Sequence, residues 1–328
     1  MKLATIGTGF IVDHFLSSAQ QVEGIELYAV YSRKEETGRG LADKYNIGKV
    51  YTDLEEMLAD TDIDCVYVAS PNSLHYEHSL KALRAQKHVI CEKPFTSTVK
   101  QFEELVQSAK ENKVFLMEAI ITQHLPNLAF IKEHMQELGT LRMIQCNFSQ
   151  YSSRYPAFLQ GEQPNVFNPA FSGGALADIN IYNLHFCVSL FGKPKTVHYY
   201  PNIAHNGIDT SGTAILLYDG FQAVCIGCKD TRSKNIAQIQ GESGYMVVDG
   251  PTSIMTNGVT LYCGKEELHE NINEYTYAMT YEIQDFVKML QENDTAKCDA
   301  YLEESRAVME VYEALRKDGK IIFPSDAQ

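Results

Sequence analysis

The 328-residue chain contains no apolar run approaching the roughly 20 residues that a membrane-spanning helix requires. Basic residues are also scarce. Lys and Arg total 28 against 42 Asp and Glu, a formal net charge of −14, which excludes nucleic acid and anionic membrane surfaces as general partners. No secretory signal is expected, because Lys2 is followed at once by a short strand pattern and glycines. The eight cysteines are scattered. Their one close pair, Cys225 and Cys228, sits in an alternating strand-like run, where positions three apart face opposite sides. Reduced thiols of a cytoplasmic protein are the simpler reading, and no metal site is expected. Internal repeats and low-complexity linkers are lacking as well.

Hydrophobic residues make up 45% of the chain, enough for sizeable cores. At about 150 residues per domain the length predicts two domains. The first half alternates strand and helix signals. Leu3–Ile6, Ile25–Tyr31, Cys65–Ala69, His88–Cys91 and Val114–Met117 read as buried strands, with helical stretches such as Ser79–Gln86 and Val99–Asn112 between them. That alternation predicts an α/β domain with a doubly wound parallel sheet covered on both faces. After Glu118 the pattern changes. A helix over Pro126–Leu138 is followed by clustered strands at Met143–Tyr151, Thr213–Tyr218, Phe221–Lys229, Ile236–Gln240, Tyr245–Val248 and Val259–Cys263, and by helices near Tyr277–Gln291 and Tyr301–Lys317. This reads as an α+β domain with a mostly antiparallel open sheet. The expected domains are 1–120 and 121–328.

The chemistry begins at Gly7-Thr8-Gly9. Gly7 allows a tight turn, Gly9 lets backbone approach a pyrophosphate, and a helix starting near Phe10 and Ile11 offers unpaired N–H groups. Val12 departs from the fingerprint, which wants a small residue there. After the second strand comes Tyr31-Ser32-Arg33-Lys34, with no acid to bond a ribose hydroxyl. Ser32 can bond a phosphate oxygen and Arg33 can grip it with a planar fork. These residues predict NADP, with NAD as the alternative. Lys93 lies at a strand end in Cys91-Glu92-Lys93-Pro94, where a cationic amine can hold an oxygen of a bound substrate. Asp178 and Tyr182, four apart, share a helix face. The long segment from Ser152 to Gly174 precedes them and is read as part of a substrate mouth.

Four stretches, taken in order, carry a resemblance: Ala4-Thr5-Ile6-Gly7-Thr8-Gly9-Phe10-Ile11, Ser70-Pro71-Asn72-Ser73-Leu74-His75-Tyr76, His88-Val89-Ile90-Cys91-Glu92-Lys93-Pro94 and Gly173-Gly174-Ala175-Leu176-Ala177-Asp178-Ile179-Asn180-Ile181-Tyr182. With these, the chain resembles the glucose–fructose oxidoreductase/inositol dehydrogenase (Gfo/Idh/MocA) family, and its Asp–Tyr version is most similar to dihydrodiol dehydrogenase-like members. The resemblance implies an N-terminal Rossmann domain and hydride transfer between a nicotinamide and a sugar, polyol or related diol. It implies that Lys93, Asp178 and Tyr182 are catalytic. Ser70, Asn72 and His75 would line the cofactor crevice beside Glu92 and Lys93. His75 can equally be a helix-start histidine bonded to backbone. Gln123, Arg154 and His185 are substrate candidates; His185 can equally be a packed polar core residue. Asn180 stands where a glycine is common, and Gln123 where an arginine is common. A homodimer or dimer of dimers is expected. The rival readings are a nucleotide-binding sensor or scaffold, and a same-fold enzyme using tightly held cofactor for elimination or transfer between sugars.

Overall fold

A computed structural model describes residues 1–327. In chain order, the first stretch forms β1 (Lys2–Ile6), α1 (Phe10–Ala19), β2 (Glu26–Tyr31), α2 (Glu35–Lys44), β3 (Lys49–Tyr51), α3 (Leu54–Ala59), β4 (Cys65–Val68), α4 (His75–Arg84), β5 (His88–Glu92), α5 (Val99–Asn112) and β6 (Leu116–Ala119). Then come α6 (Pro126–His134), β7 (Leu141–Ser149), α7 (Tyr155–Leu159), α8 (Ile181–Phe191), β8 (Thr196–Ile203), β9 (Asp209–Leu217), β10 (Gln222–Cys228), β11 (Ile236–Gly241), β12 (Gly244–Asp249), β13 (Val259–Cys263) and β14 (Glu266–Glu270). The chain closes with α9 (Met279–Glu292) and α10 (Thr295–Asp318).

These elements form two compact units. One comprises Met1–Ala119 with Tyr275–Ser305; the other comprises Ile120–Glu274 with the chain from Arg306 onward. Residues 275–305 thus group with the first unit, although the sequence reading assigns all of 121–328 to the second. The physical reason is α9. Its buried face, with Ile283, Phe286 and Val287, seats against α1.

The first unit holds a six-stranded sheet in the order β3-β2-β1-β4-β5-β6, parallel throughout. β4 is buried at every position, as an apolar run flanked by helices on both faces must be. Helix ends follow their local chemistry. The Asp53 carboxylate accepts from the N–H groups of Glu55 and Glu56, and the Thr98 hydroxyl accepts from Gln101 N–H. The strand order reverses between β1 and β4. Gly7 and Ser70, each just past the carboxyl end of one of those strands, therefore flank the switch point where such sheets bind ligands.

The second unit holds an eight-stranded sheet, β14-β13-β12-β11-β7-β10-β9-β8. Every pairing is antiparallel except β7 with β10. α8 lies on one face, against β7 and β10. There, Cys146, Cys187 and Cys225 bring three thiols together in the core, with Cys187 and Cys225 sulfurs 3.7 Å apart. The other face is open enough to leave Tyr200 and Tyr245 exposed. β3, β8 and β14 are absent from the sequence reading. β3 has only three residues, β8 contains Pro201, and β14 reads Glu-Glu-Leu-His-Glu. All three are edge strands, where polar residues and proline are tolerated and the alternating signal fades. Among the described residues no helix is long and apolar enough to cross a membrane.

Candidate active site

In the first unit, the glycine loop has the form a dinucleotide needs. Gly7 has φ +117°, and a Cβ there would meet the Ala69 carbonyl oxygen at 2.7 Å. Only glycine satisfies both constraints. Val12 is buried against the same glycine, its Cγ2 3.5 Å from that position, so the branched side chain fits despite the departure from the fingerprint. Gly9 caps α1 in an extended conformation, and a Cβ built on it meets nothing within 4 Å. The helix N-terminus therefore faces open space, and its N–H groups can receive a pyrophosphate. Thr8 and Ile11 beside it are half-buried, while Phe10 is 75% exposed and tilts against His14 at 4.1 Å. These residues fit a bound dinucleotide.

The loop after β2 divides its labour. The Ser32 hydroxyl is buried, bonded to Thr37 Oγ1 at 2.7 Å and accepting from Lys34 N–H. It shapes the loop. Arg33 and Lys34 are exposed and carry the free charge.

At the crevice, Asn72 opens a short 3₁₀ turn, and the Ser70 hydroxyl lies 3.0 Å from His78 Nδ1. His75 is 1% exposed. Its Nδ1 lies 2.9 Å from the Pro94 carbonyl oxygen and its Nε2 2.8 Å from that of Ser70. Burial drives its pKa down to about 4, against the raising effect of both carbonyls. Of the two readings of His75, direct cofactor contact is corrected and the helix-start histidine bonded to backbone holds: it is neutral and ties the Ser70 loop to the turn after Lys93. Glu92 is likewise no surface ligand. It is 5% exposed, accepts from Tyr67 Oη–H at 2.6 Å and from Lys93 N–H at 3.2 Å, and burial pushes its pKa up. Lys93 itself is half-buried, and its bond to Pro94 is cis.

In the second unit, Asp178 sits in a π-helical turn, Leu176–Asn180, that runs into α8. Such turns widen the spiral and recur at functional sites. Two features hold this one. The Asp209 carboxylate accepts from Leu176 N–H and Tyr199 Oη–H, each at 2.7 Å. Burial lifts its pKa to about 6. Asn180, fully buried, donates to the Cys225 carbonyl at 3.0 Å and accepts from Asn183, which in turn donates to the Ile226 carbonyl. The asparagine that replaces a common glycine therefore pins the turn to β10. Tyr182 is half-buried, its ring tilted against Phe148 at 5.8 Å.

The remaining sequence candidates separate. His185 is 0% exposed, one turn beyond Tyr182 and inside the core. It cannot face a substrate from there, which corrects that expectation. Gln123 is half-buried on a 3₁₀ turn, Ile121–His124, and Arg154 is exposed at the start of α7. The segment 152–174 is far from structureless. It contains α7 and two 3₁₀ turns, and Phe158 stacks on Phe167 at 5.0 Å and on His205 at 5.1 Å.

One charged residue escaped the sequence reading. Lys229 is 3% exposed and forms a salt bridge with Asp178. A signal for it exists. Ala223, Cys225 and Gly227 alternate on the buried face of β10, and position 229 continues that period to the same side.

Residues 1–120 match the "Oxidoreductase family, NAD-binding Rossmann fold", and residues 132–247 match the "GFO/IDH/MocA C-terminal domain". Over 326 residues the chain is 40% identical to scyllo-inositol 2-dehydrogenase (NADP(+)) IolU of Bacillus subtilis (strain 168), covering 99% of both chains. It is 26% identical over 337 residues to trans-1,2-dihydrobenzene-1,2-diol dehydrogenase of Mus musculus, again 99% of both. A crystal structure of a 3-ketoreductase from Actinomadura kijaniata, in complex with NADP and TDP-benzene, shares the fold with a TM-score of 0.86, at 21% identity over 97% of both chains. The chain belongs to the GFO/IDH/MocA family of oxidoreductases.

Proposed function

We propose that this oxidoreductase uses NADP and acts on a CH–OH group of a polyol, sugar or related diol. The observation that carries the reading is the 40% identity, end to end, with a scyllo-inositol 2-dehydrogenase (NADP(+)). Two local features support it: the open helix N-terminus at Gly9, and an exposed Arg33 where an acid would favour NAD.

Residues 1–120 act as the NADP-binding domain, and the later part of the chain, apart from residues 275–305 that group with the first unit, supplies substrate binding and oligomerisation. Thr8, Gly9, Phe10 and Ile11 cradle the pyrophosphate by backbone N–H groups, while Gly7, whose own N–H donates to the Tyr31 carbonyl, makes the turn. Arg33, on the loop shaped by Ser32, pairs the ribose phosphate, and Ser70 and Asn72 border the ribose and nicotinamide. The bound cofactor supplies hydride acceptance and donation. The protein supplies position and proton transfer. The Lys93 ammonium donates a hydrogen bond to the reacting substrate oxygen. The Tyr182 phenol takes or gives that oxygen's proton, and Asp178 orients the group. Gln123 and Arg154 are the polar side chains left to read substrate identity. The exposed Tyr200 and Tyr245 on the open sheet face support a homodimer through that face. Eight free thiols fit a reducing, cytoplasmic setting.

The test is a panel of inositols, other polyols, aldoses and diols with NADP(H) and NAD(H), following absorbance of the reduced cofactor. Turnover of a polyol with preference for NADP(H) is expected. Nucleotide binding with no turnover of any substrate would favour the sensor reading.

A further inference from the structure

We propose that Lys229 is a positioning residue of the active site, holding Asp178 as an oriented carboxylate; this rests on the catalytic reading of Asp178 given above. A lysine 3% exposed is rare unless its charge is met. Here it is met by Asp178, whose own side chain is 30% exposed. The pair is therefore asymmetric. Its cation is inside and its anion reaches the surface, so Lys229 holds Asp178 from the buried side.

Lys229 is itself firmly set. Its N–H donates to the Thr210 carbonyl and its own carbonyl accepts from Ser152 N–H, both at 2.8 Å. Its ammonium also lies over the Phe167 ring, 5.4 Å from the centroid. One side chain thus touches the turn that carries Asp178 and the aromatic centre of the segment 152–174. An ammonium anchored just past the end of β10, a strand paired on both sides, fixes the carboxylate more tightly than water would, because the orientation is built in before substrate arrives. Asp178 lies at the middle of the π turn.

The test compares Lys229→Met, Lys229→Arg, Asp178→Asn and the double variant Lys229→Met/Asp178→Asn on the full chain, with the fastest polyol substrate and NADP. Methionine keeps the shape of the stem and removes the charge. Lys229→Met is expected to lower kcat about tenfold to a hundredfold, the cost of a displacement near one ångström. KM and NADP affinity should change less than threefold. Arginine should restore part of kcat, and the double variant should be no slower than Asp178→Asn alone. A purely structural lysine would instead lower the melting temperature of Lys229→Met without this kcat-specific loss. A melting curve for each variant separates unfolding from misorientation. Should Lys229→Met keep wild-type kcat while Asp178→Asn is impaired, the positioning role is overturned and the catalytic reading of Asp178 survives. Wild-type kcat in Asp178→Asn overturns both.

Discussion

Gly227 lies directly beneath Asn180: a Cβ built on the glycine would fall 2.6 Å from the asparagine's Cβ. The closeness lets Asn180 and Asn183 reach the carbonyls of Cys225 and Ile226, and through them β10 sets the turn that carries Asp178. Gly227→Ala has no room, because the atoms it would meet belong to Asn180, whose side chain is bonded to backbone. Overpacking of this kind costs about 1–3 kcal/mol. Gly227→Ala should lower the melting temperature and reduce turnover while leaving NADP affinity near wild type. Calorimetry and steady-state kinetics on one preparation check it. Wild-type stability and turnover together would show that the turn tolerates displacement.

Asp209 makes stability at the same corner depend on pH. Its folded pKa is about 6, raised from the ordinary 3.8 by burial. At about 1.4 kcal/mol per pKa unit, ionising it in the folded state costs about 3 kcal/mol. The sign follows from linkage. A carboxyl raised on folding contributes stability that is fully present below pH 3.8 and lost as pH rises through 6. His75, held near 4 by burial, works in the opposite direction below pH 6.5. The measurement must therefore be a difference. Asp209→Asn can still accept from Leu176 N–H, and it should show no loss from this site between pH 4.5 and about 7. Melting temperatures of wild type and Asp209→Asn should converge at low pH and separate toward neutrality, the wild type declining relative to the variant. A constant offset across that range would count against the assignment.

Arg33 is exposed, with no acid at the end of β2 itself, so its charge can meet a 2′-phosphate. A charge-assisted hydrogen bond is worth about 1.5–3 kcal/mol. Arg33→Ala should weaken NADP(H) binding roughly tenfold to a hundredfold and leave NAD(H) nearly unchanged. Fluorescence titration with both reduced cofactors reads this directly. Equal losses for both would place Arg33 away from the phosphate. Ser32→Ala should have a broader effect, since its hydroxyl bonds Thr37 and Lys34 and its loss loosens the loop for either nucleotide.

Both sheets and the order of their chemistry are legible in the chain because buried strands are apolar and the helices between them amphipathic. Val99–Asn112 is helix over the residues its pattern predicts. The Cys225–Cys228 spacing correctly places the two thiols unequally, one buried and one half-buried. What could not be read is whatever depends on distant partners. His75 and His185 look alike as polar residues near motifs, yet both are interior. The reading of His75 as a helix-start histidine bonded to backbone holds, with Ser70 five residues away, but nothing local names Pro94 as the second carbonyl. Lys229 stands 51 positions from Asp178 (229 − 178), and only the β9–β10 layer under the π turn joins them. Its strand parity was the one local clue. α9 was assigned to the wrong unit because an amphipathic stripe states that a face is buried without stating against what.

Lys93 and Tyr182 are the two groups proposed to touch the reacting oxygen, one as a hydrogen-bond donor and one as the proton carrier. Such groups act mainly in the transition state, and removing an acid or base typically costs about 10²–10⁴ in rate. Lys93→Met and Tyr182→Phe should each lower kcat within that range with little change in NADP affinity. Tyr182→Phe keeps the ring against Phe148, so its melting temperature should hold and the loss can be credited to the hydroxyl. The double variant should lose far less than the product of the single effects, because groups that act as one unit are not additive. His185→Ala provides the contrast. Its side chain is wholly buried, so truncation should cost stability through a cavity, with kcat of the folded fraction close to wild type. The opposite pattern, near-normal turnover in Tyr182→Phe with a collapse in folded His185→Ala, would move the proton-carrying role from the phenol to the imidazole.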